Sequence, residues 1–142
     1  MSDVICVAIG VLVDGEGDDV RVLIAKRPES GVLAGYWEFP GGKLEKDETL
    51  EDCVVREFAE ELGVRVSVTG CLKAVRHEYD YGVVELNPFY CRWESGELEN
   101  LAVVDHRWVK PNDLRRYQFP EANISLVERV IIDLGGKVAL AS

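Results

Sequence analysis

Residues 56–63 read REFAEELG and set three glutamates, Glu57, Glu60 and Glu61, beside Arg56. In a helix, carboxylates spaced i, i+3 and i+4 share one side. Carboxylate oxygens are the ligands that hard divalent cations such as Mg2+ and Mn2+ prefer. The same segment carries Val54, Phe58 and Leu62, which with Leu50 recur every four residues as an apolar stripe. At about 100° per residue from Leu50, the stripe runs from roughly 0° to 120°, with Cys53 near about 300°. Glu57 falls near about 340° and Glu61 near about 20°, inside that span, while Glu60 lies beside it near about 280°. The usual fate of a helical glutamate is a solvated surface. Two carboxylates along the packed side are costly to bury unless something positive compensates them. Arg56 can neutralise one. A bound divalent cation supplies the charge that a single arginine cannot.

The turn before this helix adds to the case. Pro40, Gly41, Gly42 and Lys43 let the backbone reverse sharply and approach a ligand closely. A lone Gly-Gly is ordinarily a structural turn, but beside an acidic helix it suits a phosphate-and-metal site. Thr49 is the expected N-cap of the helix, with Asp52 as its partner, and Gly63 the C-cap.

The elements that must hold this pair follow from periodicity. Residues 4–13 and 20–26 are rich in Val, Ile and Leu and flank DGEGDD, which predicts a β-hairpin. Residues 27–37 form a loop containing Pro28, Gly31 and Gly35, and 38–43 a short extended piece. Residues 64–77 and 83–93 make a second strand pair around EYDYG; 94–100 is a polar loop; 105–110 is a strand. PNDLRRY reads as a helical turn behind Pro111. The last helix starts after Pro120, with Leu126, Val130, Ile131 and Leu134 on one side and Gly135 as its stop. Strands around a central helix, closed by a second helix, imply a mixed α/β fold with helices covering a sheet, in one domain over residues 1–142.

Composition narrows the function. The 142 residues are 47% hydrophobic and 30% charged, as in an ordinary soluble globular protein. The formal net charge of −10 argues against nucleic-acid polymers as partners, because their binding depends on Lys and Arg neutralising phosphates. A small phosphorylated ligand remains open, since a metal ion can supply positive charge. Cys6, Cys53, Cys71 and Cys91 show no C-x-x-C spacing and read as reduced core or near-core thiols, with a disulfide as the alternative that an even count leaves. The N-terminus is apolar but lacks a basic segment and is interrupted by Asp3, so it reads as a strand and not a signal peptide. No run reaches the roughly 18 apolar residues of a membrane span. A cytoplasmic protein without membrane partners, monomeric or homodimeric, is expected.

The stretch 42–64 resembles a complete Nudix box. That pattern is Gly, five residues, Glu, seven residues, then Arg-Glu-U-x-Glu-Glu-x-Gly-U with U bulky and apolar. Gly42, Glu48, Arg56, Glu57, Phe58, Glu60, Glu61, Gly63 and Val64 match it at every fixed position. KRP followed by GYWEFPGGK, HRWV at 106–109 and FPEANISLVERV at 119–130 are similar to the MutT branch and its CTP-hydrolysing relatives, so the likeness runs over roughly residues 4–132. The resemblance implies an α/β/α sandwich around a mixed β-sheet. It also implies hydrolysis of nucleoside diphosphates linked to another moiety, and for MutT-like members the splitting of a nucleoside triphosphate into monophosphate and pyrophosphate. Carried over, Glu57, Glu60 and Glu61 with the carbonyl of Gly41 would bind Mg2+ or Mn2+, and Glu48 and Arg56 would orient them. Arg27 and Lys43 would meet phosphate or sugar, Glu38 would support the glycine turn or the substrate, and Asn123 would hydrogen-bond the base. Phe119, Trp37, Tyr79 and Phe89 are aromatic candidates for stacking on it. Like-charge crowding should raise the proton affinity of one glutamate, expected at Glu57 or Glu60, which would then serve as the base. One departure stands out: MutT-like sequences carry a further glutamate about six residues before the tryptophan of the RW strand, and that position here is Ala102. Oxidised dGTP is the expected substrate, with CTP or dCTP next, then dinucleoside polyphosphates and ADP-ribose. A non-catalytic nucleotide-binding Nudix module is the reading from another class.

Overall fold

Strand β1 (Val4–Asp14) buries both of its faces, and this fixes it at the centre of the sheet. Ala8 and Leu12 enter one core; Ile9 and Val11, which point the other way, enter a second. A strand covered on both sides reads as an unbroken apolar run, which is why residues 4–13 showed no polar alternation. The computed structural model describes residues 4–28 and 34–135. Asp3 and Gly31, used above as a break and as a loop residue, lie outside them.

Eight strands among the described residues form one mixed sheet. β1 pairs in parallel with β7 (Gly82–Ser95) from Val4↔Val83 to Val13↔Arg92, taking up one edge of β1 along nearly its whole length. Its other edge is shared. Near the turn it meets β2 (Arg21–Lys26) at Val13↔Val22 and Asp14↔Arg21, as the predicted hairpin requires. Farther from the turn the two strands part, and β4 (Gly41–Lys43) pairs with β1 at Val7, Ala8 and Ile9. β3 (Trp37–Glu38) pairs with β2 at Ala25 and Lys26, and β8 (Asp105–Val109) covers the opposite edge of β2. The segment 37–43 therefore lies in a fork between β1 and β2, with the glycine turn spanning it. The amide of Gly10 donates to Pro40 O across the fork at 2.9 Å.

Helix α1 (Leu50–Leu62) lies on one face of the sheet. Cys53, Val54, Phe58 and Leu62 pack on Ala8, Leu12, Leu23, Phe89 and Cys91. Its ends are set as the sequence indicates. Thr49 Oγ1 accepts from the amide of Asp52 at 3.1 Å, and Gly63 closes the helix in the left-handed region at φ 71°. Helix α2 (Ile124–Val130) covers the other face with Leu126, Val127 and Val130 against Ile9, Val11, Val22, Ile24 and Val109. The result is the expected α/β/α sandwich around a mixed sheet.

Three expectations are corrected. The strand foreseen over 64–77 is two, β5 (Arg65–Cys71) and β6 (Val75–Tyr79). Both pair with β7, whose 14 residues are long enough to take them one after the other. The single last helix is a 3-10 turn at Glu121–Asn123, then α2, then a π turn at Ile131–Gly135, where Asp133 accepts the Tyr90 hydroxyl at 2.7 Å. All four thiols are free; Cys53 and Cys91 are buried, but Cys71, at the end of β5, is exposed and not near-core.

The seat of α1 depends on Gly10. A Cβ there would collide with the Phe58 ring and come within 2.9 Å of Val54 Cγ1. Gly10→Val should overpack this contact and destabilise the fold by about 1–3 kcal/mol. Urea unfolding followed by circular dichroism would read this as a lower midpoint, with Gly10→Ala between wild type and Val.

Candidate active site

The acidic face of α1 meets the glycine turn of β4 at bonding distance. The amide of Gly41 donates to Glu61 Oε2 at 3.2 Å. A Cβ on Gly42 would sit 2.6 Å from both Cδ and Oε1 of Glu57, and one on Gly41 would strike Ala8 O. The pair is thus caught between β1 on one side and carboxylates on the other, so neither position has room for a side chain.

Arg56 organises the outer rim. Its Nε donates to Glu48 Oε2 at 2.6 Å and its Nη2 to Glu48 Oε1 at 3.0 Å, a two-point grip. Nη1 donates to Glu57 Oε1 at 2.8 Å and to Glu60 Oε2 at 3.0 Å, and Nη2 also reaches Lys43 O at 3.3 Å. The hydrogen bonds from Arg56 hold the Glu48 carboxyl down at about 2, against an ordinary 4.5. One arginine therefore serves Glu48, Glu57 and Glu60, more than its single charge had suggested, and leaves Glu61 out.

This changes which glutamate is strained. Burial first, and then the hydrogen bond that a protonated Glu61 donates to Glu57 and the charge of Glu57, push Glu61 up to about 9; the charge of Glu38 adds to this, and the Gly41 amide offsets part. The raised proton affinity expected at Glu57 or Glu60 belongs to Glu61. Nor do the three carboxylates converge: Glu60 is 58% exposed and turned to Arg56, and among the described residues no three acidic, His or Cys side chains are grouped to hold a metal. What faces the glycine turn is a pair, Glu57 and Glu61. That donor set fits Mg2+, which is ordinarily bound by one or two carboxylates together with waters and substrate phosphates, not by an all-protein cage.

The other expected residues are spread around this pair. Glu38, lifted by burial and partly offset by Arg27, pairs with Arg27 at 3.1 Å. Lys43 is exposed on β4. Asn123 is 8% exposed and its side chain makes no hydrogen bond among the described residues. Because no fully enclosed side-chain nitrogen or oxygen there lacks a partner, its amide must keep an open polar end. Phe119 is 6% exposed and packs on Phe39 at 5.4 Å between centroids, so most of its ring belongs to the core behind Asn123. Trp37 packs edge-on to Tyr117 and Phe89 lies in the α1 core. Tyr79 stacks on Tyr81 at 5.1 Å, on the strand that packs beside the 121–123 turn. Ala102 is anchored directly behind Glu61: the amides of Leu101 and Ala102 both donate to Glu61 O, and that of Glu99 to Leu62 O. Glu99 thus lies at the end of α1, beside Gly63.

Residues 8–129 match the family model described as NUDIX domain. The chain belongs to the NUDIX domain family. It is 34% identical over 113 residues to the CTP pyrophosphohydrolase of Escherichia coli, covering 78% of this chain and 82% of that one. It is 42% identical over 92 residues to the 8-oxo-dGTP diphosphatase of Proteus vulgaris, covering 65% and 80%. The crystal structure of the MutT NUDIX hydrolase from Burkholderia pseudomallei superposes with a TM-score of 0.78 at 26% identity, covering 90% of this chain and 98% of that one. The protein is thus a MutT-like Nudix hydrolase, a pyrophosphohydrolase of nucleotide substrates in a family that generally uses divalent metal ions. No described helix is long and apolar enough to cross a membrane.

In this Nudix hydrolase the grip of Arg56 on Glu48 has a pH signature. The ionised form of Glu48 is the one favoured by folding, so its contribution is complete above 4.5 and disappears as pH falls toward about 2. Glu48→Gln should lower stability at pH 6 and flatten its decline between about pH 4.5 and 2. Urea midpoints of the two proteins across that window check this; parallel curves would refute it.

Proposed function

We propose that this Nudix hydrolase converts a nucleoside triphosphate to its monophosphate and pyrophosphate in a Mg2+-dependent reaction, with oxidised dGTP as preferred substrate. The observation that carries the reading is the Glu57–Glu61 pair set against the Gly41–Gly42 backbone, with one carboxyl strongly raised in proton affinity. Two crowded carboxylates without a cation between them favour keeping a proton; a divalent cation relieves both charges. Glu57 and Glu61 with the carbonyl of Gly41 would hold Mg2+ or Mn2+, and Glu60 would join on release from Arg56. When bound, the ion polarises phosphate oxygens and stabilises the leaving pyrophosphate.

The chain's own residues do the rest. Arg56 and Glu48 hold Glu57 and Glu60 in orientation. Arg27 and Lys43 meet phosphate or sugar, with Glu38 steering Arg27. Asn123 offers a donor and an acceptor to the base edge, which suits a guanine or oxidised guanine, and Phe119 backs it from the core. Two of the relatives support different bases: the one at 42% identity is an 8-oxo-dGTP diphosphatase and the one at 34% a CTP pyrophosphohydrolase. Hydrolysis of CTP or dCTP is accordingly the second reading.

Pyrophosphate release with Mg2+ should be measured on oxidised dGTP, dGTP, CTP, dCTP, ADP-ribose and a dinucleoside polyphosphate. Turnover is expected to be fastest on oxidised dGTP, and the Mg2+-supported turnover to be lost in Glu57→Gln and Glu61→Gln. Arg56→Gln should weaken apparent Mg2+ affinity by about 10–100-fold. Fastest turnover on CTP or dCTP would favour the second reading. Release from none of them would point to a nucleotide-binding module.

A further inference from the structure

Helix α1 ends inside the site. Glu61 is the second-last residue of the helix, and carbonyl groups of a last turn have no partners farther along it. The loop after β7 supplies them. The amides of Leu101 and Ala102 both donate to Glu61 O, at 3.0 and 3.1 Å, and that of Glu99 donates to Leu62 O at 2.9 Å. Glu61 also sends its carboxylate to the Gly41 amide at 3.2 Å. It is therefore held at two places, its side chain by the glycine turn and its backbone by the loop. The backbone hold matters because Glu57, one helical turn back, repels the Glu61 carboxylate. A frayed last turn would relieve that repulsion by letting Glu61 swing into solvent.

Residues 96–104, which make up this loop, form no helix or strand of their own. Ala102 gives them no carboxylate for an ion to grip, and the Glu99 carboxylate lies beside Gly63 at the helix end. Their ties run to the sheet and the core instead. Leu98 and Val103 pack into the α1 core, and the amide of Val104 donates to Lys26 O on β2 at 3.0 Å. Between these anchors, Asn100 Oδ1 lies 2.6 Å from His106 Nδ1 on β8. An amide oxygen only accepts, so Nδ1 carries a proton in this contact. Asn100 stands between Glu99 and Leu101, two of the residues whose amides hold the helix. Its side chain thus fastens to β8 the same short stretch whose backbone is fastened to α1.

We propose that Asn100 and His106 form a clasp that positions Glu61 for the divalent cation. The inference rests on the proposed metal-dependent hydrolysis. The clasp acts through backbone alone: the His106 ring holds Asn100, Asn100 holds the 99–102 stretch, and the amides of that stretch hold the last turn of α1. Both are positioning residues, and neither has to reach the carboxylates. With alanine at 102 the loop serves the site by holding a ligand on the helix.

Two measurements test this. Amide hydrogen exchange, followed by NMR, reads the loop without substrate or metal. In Asn100→Ala and in His106→Leu the Leu101 and Ala102 amides should exchange about tenfold faster, while the mid-helix amides of Val54 and Phe58 change by less than about threefold. In His106→Asn the side-chain amide takes the place of Nδ1–H and should restore most of the protection. Unchanged exchange of Leu101 and Ala102 in both Asn100→Ala and His106→Leu would overturn the clasp. The second measurement is binding of Mn2+ alone, read from the electron-spin resonance of the free ion. Each of these two variants should bind Mn2+ about tenfold more weakly, and His106→Asn within about threefold of wild type. The double variant should be no weaker than the poorer single, because the two side chains share one contact. Losses that add in the double variant would overturn that shared contact. Faster exchange with unchanged Mn2+ affinity would overturn the role in the site and leave the clasp a support of the loop. A wild type that binds no Mn2+ would remove the proposed metal chemistry and this role with it, while the exchange data would still decide whether the two side chains hold the loop.

Discussion

The site depends on how closely a helix can approach a sheet. α1 lies against β1 where Gly10 has no side chain, and against β4 where Gly41 and Gly42 have none. A Cβ at any of the three would meet an atom already in place. Without them the first contact of α1 would be side chain on side chain, and its carboxylates would end in solvent above the sheet. With them, Glu61 reaches a backbone amide and Glu57 lies over a glycine Cα. The approach also creates the electrostatic problem. It removes water from two carboxylates that already repel each other, and burial is the largest cause of the rise at Glu61.

Arg56 limits that problem without abolishing it. Its guanidinium has enough donors to hold Glu48 at two points and still bind Glu57 and Glu60. A lysine in its place would bring the same charge but not the planar fork. Because its donors run out before Glu61, one carboxylate remains without a cationic partner among these contacts. The arrangement stabilises the helix while leaving a residual negative charge directed at the glycine turn. A small dense cation relieves that charge better than a second arginine would, because it brings no side chain into a gap that Gly41 and Gly42 keep open.

Much of this was legible in the sequence, and the limits have physical causes. The stripe Leu50, Val54, Phe58 and Leu62, the Thr49 cap and the Gly63 stop are local and defined α1 to the residue. A mixed α/β fold with helices covering a sheet followed from the order of the elements, and the α/β/α layering from the resemblance to the Nudix family. The break at 72–74 did not, because it depends on the length of a partner strand, β7, remote in sequence. The angles put Glu57 and Glu61 on the packed side, where they lie. They gave no warning that Glu60 would be taken by Arg56, since side-chain reach is not encoded in a wheel. The raised proton affinity fell on Glu61 and not on Glu57 or Glu60 for a similar reason: it depends first on burial against the sheet and then on Glu57, with smaller effects from Glu38 and Gly41 off the helix.

The loop at 97–102 shows why a missing side chain need not be a missing function. Its amides cap the C-terminal carbonyls of α1, at Glu61 and Leu62, where the chain leaves the helix. That duty is carried by backbone and is indifferent to whether position 102 bears a carboxylate or a methyl group. The loop therefore keeps its place when the acid is absent, and so does everything it carries, Asn100 included. The side chain of Asn100 in turn meets the His106 ring on β8, at 2.6 Å, so the loop joins the end of α1 to the edge of the sheet.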